Sequence, residues 1–242
     1  NLAQRRADLI VSGAVAVGDI NEDCINDLVF PAGDNGVHAY LGQGDGRYAS
    51  TIAGLPARML GAAIADLNGD YRPDFMLGEF STATATTAKL QIAINQWPSY
   101  SIIPTNSSGV AGLRNIGSIS VGDFNLDGWP DLFIGMWTTL YNTVTDTHLW
   151  KGLGNMAFTP AEPAGLTNVL DFTFSPNFAD INNDGRPDLV VASDFENSQV
   201  YLQEETGTFR KITNRSVISD ENGMGAAVAD FDNDGDLDWF VS

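Results

Sequence analysis

The chain has 242 residues, 43% hydrophobic content and a formal charge of −19. That length and apolar content suffice for a packed core, and the absence of any run of about 18 apolar residues excludes a membrane-spanning helix. Only 12 Lys and Arg are present, which excludes nucleic acid as a partner because phosphate binding needs clustered cations.

In chain order, Ala7 to Ser12 reads as a single strand leading into a first full unit. That unit opens on the apolar strand GAVAVGD, and a loop follows in which Asp19, Asn21, Asp23 and Asp27 hold positions 1, 3, 5 and 9. NDLVFPAG, VHAYLGQ and RYASTIAG then read as three more strands, since apolar and β-branched residues dominate them and turn residues bound them. The second unit runs AAIAD, a loop with Asp66, Asn68, Asp70 and Asp74, then DFMLGE and LQIAINQ. The third runs SISVGD, a loop with Asp123, Asn125, Asp127 and Asp131, then DLFIGMW and HLWKG. The fourth runs SPNFAD, a loop with Asp180, Asn182, Asp184 and Asp188, then DLVVAS and QVYLQE. A fifth loop carries Asp230, Asp232, Asp234 and Asp238.

First aspartates are spaced 47, 57, 57 and 50 residues apart, so the chain is a repeat protein with a unit of roughly 50 residues. The units span about 15–61, 62–117, 118–173, 174–225 and 226–242, the last incomplete. Tyr40, Ile92, Trp150 and Tyr201 in the third strands are each followed eight residues later by Tyr48, Tyr100, Phe158 and Phe209. This offset predicts a hairpin of one length in every unit.

Hard oxygen donors at positions 1, 3, 5 and 9, with a main-chain carbonyl at position 7 from Ile25, Arg72, Trp129, Arg186 or Asp236, suit Ca²⁺, up to five ions in all. Asp-Gly and Asn-Gly clusters also make plain hairpin turns, but a turn needs one or two polar residues. Only ligation asks for carboxylates at 1, 5 and 9 in every copy. An EF-hand is excluded, because its closing glutamate at position 12 is replaced by Phe30, Leu77, Ile134, Val191 and Val241. Gly128, Gly185 and Gly235 hold position 6, where a left-handed backbone is expected, whereas Cys24 and Tyr71 stand there in the first two loops. Those loops are expected to bind more weakly or with altered geometry. Pro73, Pro130 and Pro187 at position 8 stiffen the entry to the next strand.

Repeats of the form AVADFDNDGDLDWFV and FADINNDGRPDLVVAS resemble the FG-GAP or VCBS repeats of integrin-α-type propellers. They are more closely similar to those of secreted proteins of the cartilage-acidic-protein and ASPIC/UnbV group. The resemblance covers nearly all of residues 15–242. It implies an all-β fold, a β-propeller of four-stranded antiparallel blades with the calcium loop between the first and second strand of each. About 4.5 blades are present, and the resemblance implies a seven-bladed ring, so the chain is expected to be a fragment of a longer one. Cys24 and Tyr71 depart from the family pattern.

The calcium is expected to be structural and the chain not to be an enzyme. His38 and His148 fall in third-strand segments and read as structural, and no G-x-S-x-G, Walker A or H-E-x-x-H pattern occurs. The function implied is an extracellular adhesion or protein-interaction module, with a lectin-like propeller or an accessory domain of a carbohydrate-active enzyme as the alternative. Its partner is a protein or glycan held on a loop face, at residues 81–89, 104–115 and 138–147. Trp129 is the best aromatic for stacking on a sugar, its side chain expected to face outward, while Trp97 sits in a loop and Trp137, Trp150 and Trp239 are expected in the core. The unrepeated residues at position 7 disfavour a glycan pocket in every blade. Calcium sites this weak fill only outside the cell, and the sequons at Asn106 and Asn214 agree with an extracellular location. Cys24 is the single cysteine, so no internal disulfide forms.

Overall fold

The computed structural model describes residues 14–32, 36–51, 55, 58–80, 89–104, 107–113, 115–137, 147–161, 165–166, 172–195, 198–218 and 222–242. The strand expected at residues 7–12 lies outside them, as do Asn106 and most of the segments 81–89 and 138–147. The described residues are all-β, with no helix.

Blade one contains β1 (Ala16–Gly18), β2 (Asp27–Pro31), β3 (Val37–Gly42) and β4 (Tyr48–Thr51). Blade two contains β5 (Met59–Ala65), β6 (Asp74–Glu79), β7 (Leu90–Gln96) and β8 (Ser99–Ile102), and blade three β9 (Ile116–Gly122), β10 (Asp131–Met136), β11 (Leu149–Gly152) and β12 (Phe158–Pro160). Blade four contains β13 (Thr173–Ala179), β14 (Asp188–Ser193), β15 (Gln199–Gln203) and β16 (Phe209–Lys211), and β17 (Ala226–Ala229) pairs with β18 (Asp238–Val241) in the fifth. Each blade is an antiparallel meander in chain order. Consecutive blades pack through their first strands, β1 on β5, β5 on β9, β9 on β13 and β13 on β17.

The period of two along each strand places the core between blades rather than at one centre. Phe75 and Leu77 of β6 join Ala16, Val29 and Ala39 of blade one, whereas Met76 between them joins Leu132, Ile134 and Trp150 of blade three. Phe133 and Leu149 likewise turn to Leu189, Val191 and Tyr201 of blade four. Phe75, Met76 and Leu77 are fully buried, and each such side chain contributes about 1.5–3 kcal/mol. Gly78 makes room for this packing, since a Cβ there would fall 2.2 Å from Ile116 Cγ2 of the next blade.

The first strands of blades two, three and four share one irregularity. Leu60, Gly117 and Phe174 are extra residues in the ladder with the second strand, at equivalent places in the three blades. A bulge at this point bends the strand and increases its twist.

The hairpins correct one expectation. Gly42, Gly152 and Gln203 pair with Tyr48, Phe158 and Phe209, whereas in blade two Asn95 pairs with Tyr100 around a turn at Trp97 and Pro98. The residue that pairs like Tyr40, Trp150 and Tyr201 with the second strand is therefore Ala93, not Ile92. The hairpin between the third and fourth strands of blade two is one residue shorter, and the matching offset of eight from Ile92 is coincidental.

Candidate metal centre

Every loop between a first and a second strand folds by the same hydrogen bonds. The position 1 carboxylate accepts two main-chain N–H groups in every loop, and in loop two Asp66 Oδ1 accepts those of Asn68 and Gly69 as well. Oδ1 of position 1 takes the N–H of position 5, at 3.0–3.2 Å from Asp23, Asp70, Asp127, Asp184 and Asp234. Its Oδ2 takes that of position 6, at 2.7–3.0 Å from Cys24, Tyr71, Gly128, Gly185 and Gly235. Position 5 in turn accepts the N–H of position 7, at 2.9–3.0 Å. These bonds curl the loop around its own carboxylates, and in loops one, three, four and five they leave lone pairs on the position 1 side chain, since a carboxylate has about four acceptor sites.

The tight curl requires left-handed backbone at two positions. Position 6 has φ of 65° at Cys24, 68° at Tyr71 and 84–95° at the three glycines. The first two loops thus share the left-handed backbone of the others at position 6, and Cys24 and Tyr71 bear a strain there that glycine avoids. Position 4 is left-handed as well, at Glu22, Gly69, Leu126, Asn183 and Asn233. The sequence carried a signal for it in Gly69, Asn183 and Asn233, residue types that favour this region.

Position 9 is the buried member of the set. Asp27, Asp74, Asp131 and Asp188 are fully buried, and Asp238 is half-buried. In all five loops Oδ2 accepts the N–H of position 2, at 2.9–3.1 Å from Ile20, Leu67, Phe124, Ile181 and Phe231. In the first four blades Oδ1 accepts an N–H at or one residue before the end of the third strand, at 2.7–3.0 Å from Gly42, Asn95, Gly152 and Gln203. Position 9 therefore ties three strands of a blade together. Desolvation pushes Asp74 and Asp131 up to about 6 and raises Asp188 as well, with the neighbouring loop aspartates adding to each rise.

The loops differ in how they neutralise position 5. The amide of Asn21, Asn68 or Asn182 donates to Asp23, Asp70 or Asp184 in loops one, two and four. In loop three the Asn125 amide turns to Asp131, and Lys151 Nζ lies 2.9 Å from Asp127 Oδ2. In loop four the Arg186 guanidinium also meets Asp184. Loop five has aspartate at position 3, and single oxygens of Asp230, Asp232 and Asp238 lie within 4.8 Å of one another.

Neighbouring loops touch. Arg72 at position 7 of loop two grips Glu22 at position 4 of loop one at 2.8 and 3.2 Å, and Asn183 of loop four donates to Asp236 of loop five at 3.1 Å. Trp129, at position 7 of loop three, faces outward at 39% exposure as expected, and its ring also lies against Gly154 of its own blade and Gly69 of loop two. Carbonyls at position 2 are met from the following blade, Ile20 by Asn95 Nδ2 at 2.9 Å, Leu67 by Met156 N–H at 3.2 Å and Phe124 by Gln203 Nε2 at 2.7 Å.

Other candidate residues take structural places. His148 is buried, stacked on Phe133, with Nδ1 2.9 Å from the Ile134 carbonyl, and His38 lies in β3 beside Tyr40. Trp150 is core, whereas Trp137 and Trp239 are half-buried, Trp137 donating to Asp194 at 3.0 Å. Trp97 packs edge-on against Tyr100. Asn214 is exposed, its side-chain oxygen accepting from Ser216. None of the helices that could cross a membrane is present among the described residues.

The FG-GAP-like repeat matches residues 13–77, 123–191 and 180–241. Comparison with curated proteins gives no match. Among solved structures, a similar chain is that of an Agrocybe aegerita lectin specific for non-reducing terminal N-acetylglucosamine. It is 15% identical, with 96% of this chain and 75% of that chain covered and a TM-score of 0.47, a likeness too loose to carry an argument about ligands. The three repeat matches span well over half of the sequence and contain all five loops in full, and on that basis the chain belongs to the FG-GAP-like repeat family.

Proposed function

We propose that this chain is an extracellular, calcium-stabilised propeller module that serves adhesion or protein interaction and is not a catalyst. Asp19, Asn21, Asp23, Asp27 and the Ile25 carbonyl, with their counterparts in the other four loops, would hold the ions. The observation that carries the reading is the buried aspartate at position 9, repeated in a loop with two further carboxylates. Hard oxygen donors of this charge fit Ca²⁺, and they do so without any softer ligand in the set. Like charges this close, one of them desolvated, are costly without a cation, and the raised Asp74 and Asp131 register that cost. Bound calcium supplies charge neutralisation and links the first and second strands of a blade.

A partner would meet the faces formed by loops between strands, since connecting loops tolerate the variation that recognition needs. The extracellular location follows from the weakness of such sites, which stay empty at cytosolic calcium. The closer likeness to the cartilage-acidic-protein and ASPIC/UnbV group belongs to the same reading and rests on the form of the repeats.

The test is the thermal midpoint in excess EDTA and again with millimolar Ca²⁺ or Mg²⁺ restored. A site whose dissociation constant is tenfold below free calcium adds about 1.4 kcal/mol, so five independent sites add about 7 kcal/mol. A marked loss in EDTA, recovered by calcium and much less by magnesium, is expected. An unchanged midpoint would overturn the reading.

A further inference from the structure

We propose that Lys151 is a built-in counter-ion of the third loop that sets its calcium affinity below what its carboxylates alone would give; the inference rests on the calcium reading above. Lys151 Nζ lies 2.9 Å from Oδ2 of Asp127, the position 5 ligand. In loops one, two and four that oxygen accepts the neutral amide of the position 3 asparagine instead. In loop three the Asn125 amide donates to Asp131, at 3.1 Å from its Oδ2, and an ammonium stands on Asp127 Oδ2.

The repeat itself marks Lys151 as a departure. It is the residue before Gly152, whose N–H caps Asp131. The residues in the same place before Gly42, Asn95 and Gln203 are Leu41, Ile94 and Leu202, all apolar. Leu41 and Ile94 in this place pack against the interblade cores. An apolar residue there packs, whereas a lysine reaches the ligand set. Loop four also holds a cation, Arg186, but there the Asn182 amide keeps its place on Asp184.

The ammonium acts on the loop in two ways. It occupies a lone pair of a ligand oxygen, and its charge repels a divalent ion entering the same carboxylate cage. A lysine side chain carries its charge throughout the neutral pH range. Its side chain is 38% exposed, which lets it swing into solvent when a metal enters. Lys151 thus tunes the site without closing it, and loop three fills at higher calcium than a loop with no such residue.

The experiment is a Tb³⁺ titration of the whole chain, read by tryptophan-sensitised emission and reversed by Ca²⁺. Trp129 is part of loop three and serves as its antenna, and the loop-three component is assigned by its loss in Asp123→Ala. In Lys151→Leu, which installs the residue of blades one and four, the loop-three midpoint is expected to fall about tenfold, the order expected for one charge acting on a multivalent ion across a few ångström of water-like dielectric. Lys151→Arg keeps the charge and is expected to keep the wild-type midpoint. A loop-three midpoint unchanged or raised in Lys151→Leu, with the other loops still binding, overturns the role of Lys151. Absence of Tb³⁺ and Ca²⁺ binding at every loop of the wild-type chain overturns the calcium reading itself.

Discussion

Tyr71 shows at the scale of one residue how the loop geometry outranks residue preference. Its φ is 68° and its side chain is 94% exposed, so it bears left-handed strain and packs against little in return. That strain is about 1–2 kcal/mol in a residue with a Cβ. Glycine removes the strain but loosens the unfolded chain by about 0.4–1 kcal/mol. Tyr71→Gly is therefore expected to stabilise by about 0.5–1 kcal/mol, a rise of roughly 1–4 °C in Tm. Tyr71→Ala keeps the Cβ and is expected to gain nothing. Differential scanning calorimetry of both variants in calcium checks this, and an equal effect of the two substitutions would show that the backbone at position 6 is not what limits the loop.

At the scale of the element, the bond that joins consecutive blades at the loops is made by three different donors. A side-chain amide serves from Asn95 and Gln203, and a main-chain N–H serves from Met156. Gln203 is 3% exposed, and its acceptor belongs to Phe124, 8% exposed. Gln203→Ala leaves a buried carbonyl unpaired, which costs about 1–3 kcal/mol. The urea midpoint should fall accordingly, and a midpoint within error of wild type would mean that water replaces the amide. This variety explains what the sequence hid. The loops were legible because ligation and strand alternation both leave periodic residue types, Asp at 1, 5 and 9 and apolar residues every second place. The interblade bond leaves no such trace, since asparagine, glutamine and a backbone N–H share no pattern. The bulges were hidden for a similar reason: Leu60, Gly117 and Phe174 have no chemistry in common, and the extra residue is forced by the curvature the blades need. In blade two, Ile92 stood eight residues before Tyr100 and so concealed a one-residue deletion. Lys151 stood in line with Leu41 and Leu202 in the sequence, each following the aligned Tyr40, Trp150 and Tyr201, but only the register of β6 and β7 puts Ile94 in the same line, and only the fold shows that the lysine reaches Asp127.

At the scale of the whole molecule, sixteen of the 31 acidic residues sit at positions 1, 3, 5 and 9 of the loops, and neighbouring loops touch through Glu22 with Arg72 and Asn183 with Asp236. The net charge of −19 is thus crowded where the blades meet, and five divalent ions would bring it to −9. Two effects of calcium have to be separated, relief of general repulsion and closure of a specific oxygen cage. Sodium chloride isolates the first. Raising it from 0.1 to 1 M shortens the screening length from about 10 to about 3 Å, so in EDTA the thermal midpoint is expected to rise with salt. Asp27, Asp74, Asp131 and Asp188 are beyond the reach of that screening, because they are fully buried and bonded to main-chain N–H groups. Salt in EDTA is therefore expected to recover only part of what millimolar calcium recovers at 0.1 M salt. With calcium saturating, the same salt increase is expected to move the midpoint far less, since the loop charges are already compensated. If 1 M salt alone restored the full calcium effect, the loops would be acting through their summed charge, and ligation by the individual oxygens would not be needed to explain the stability of the fold.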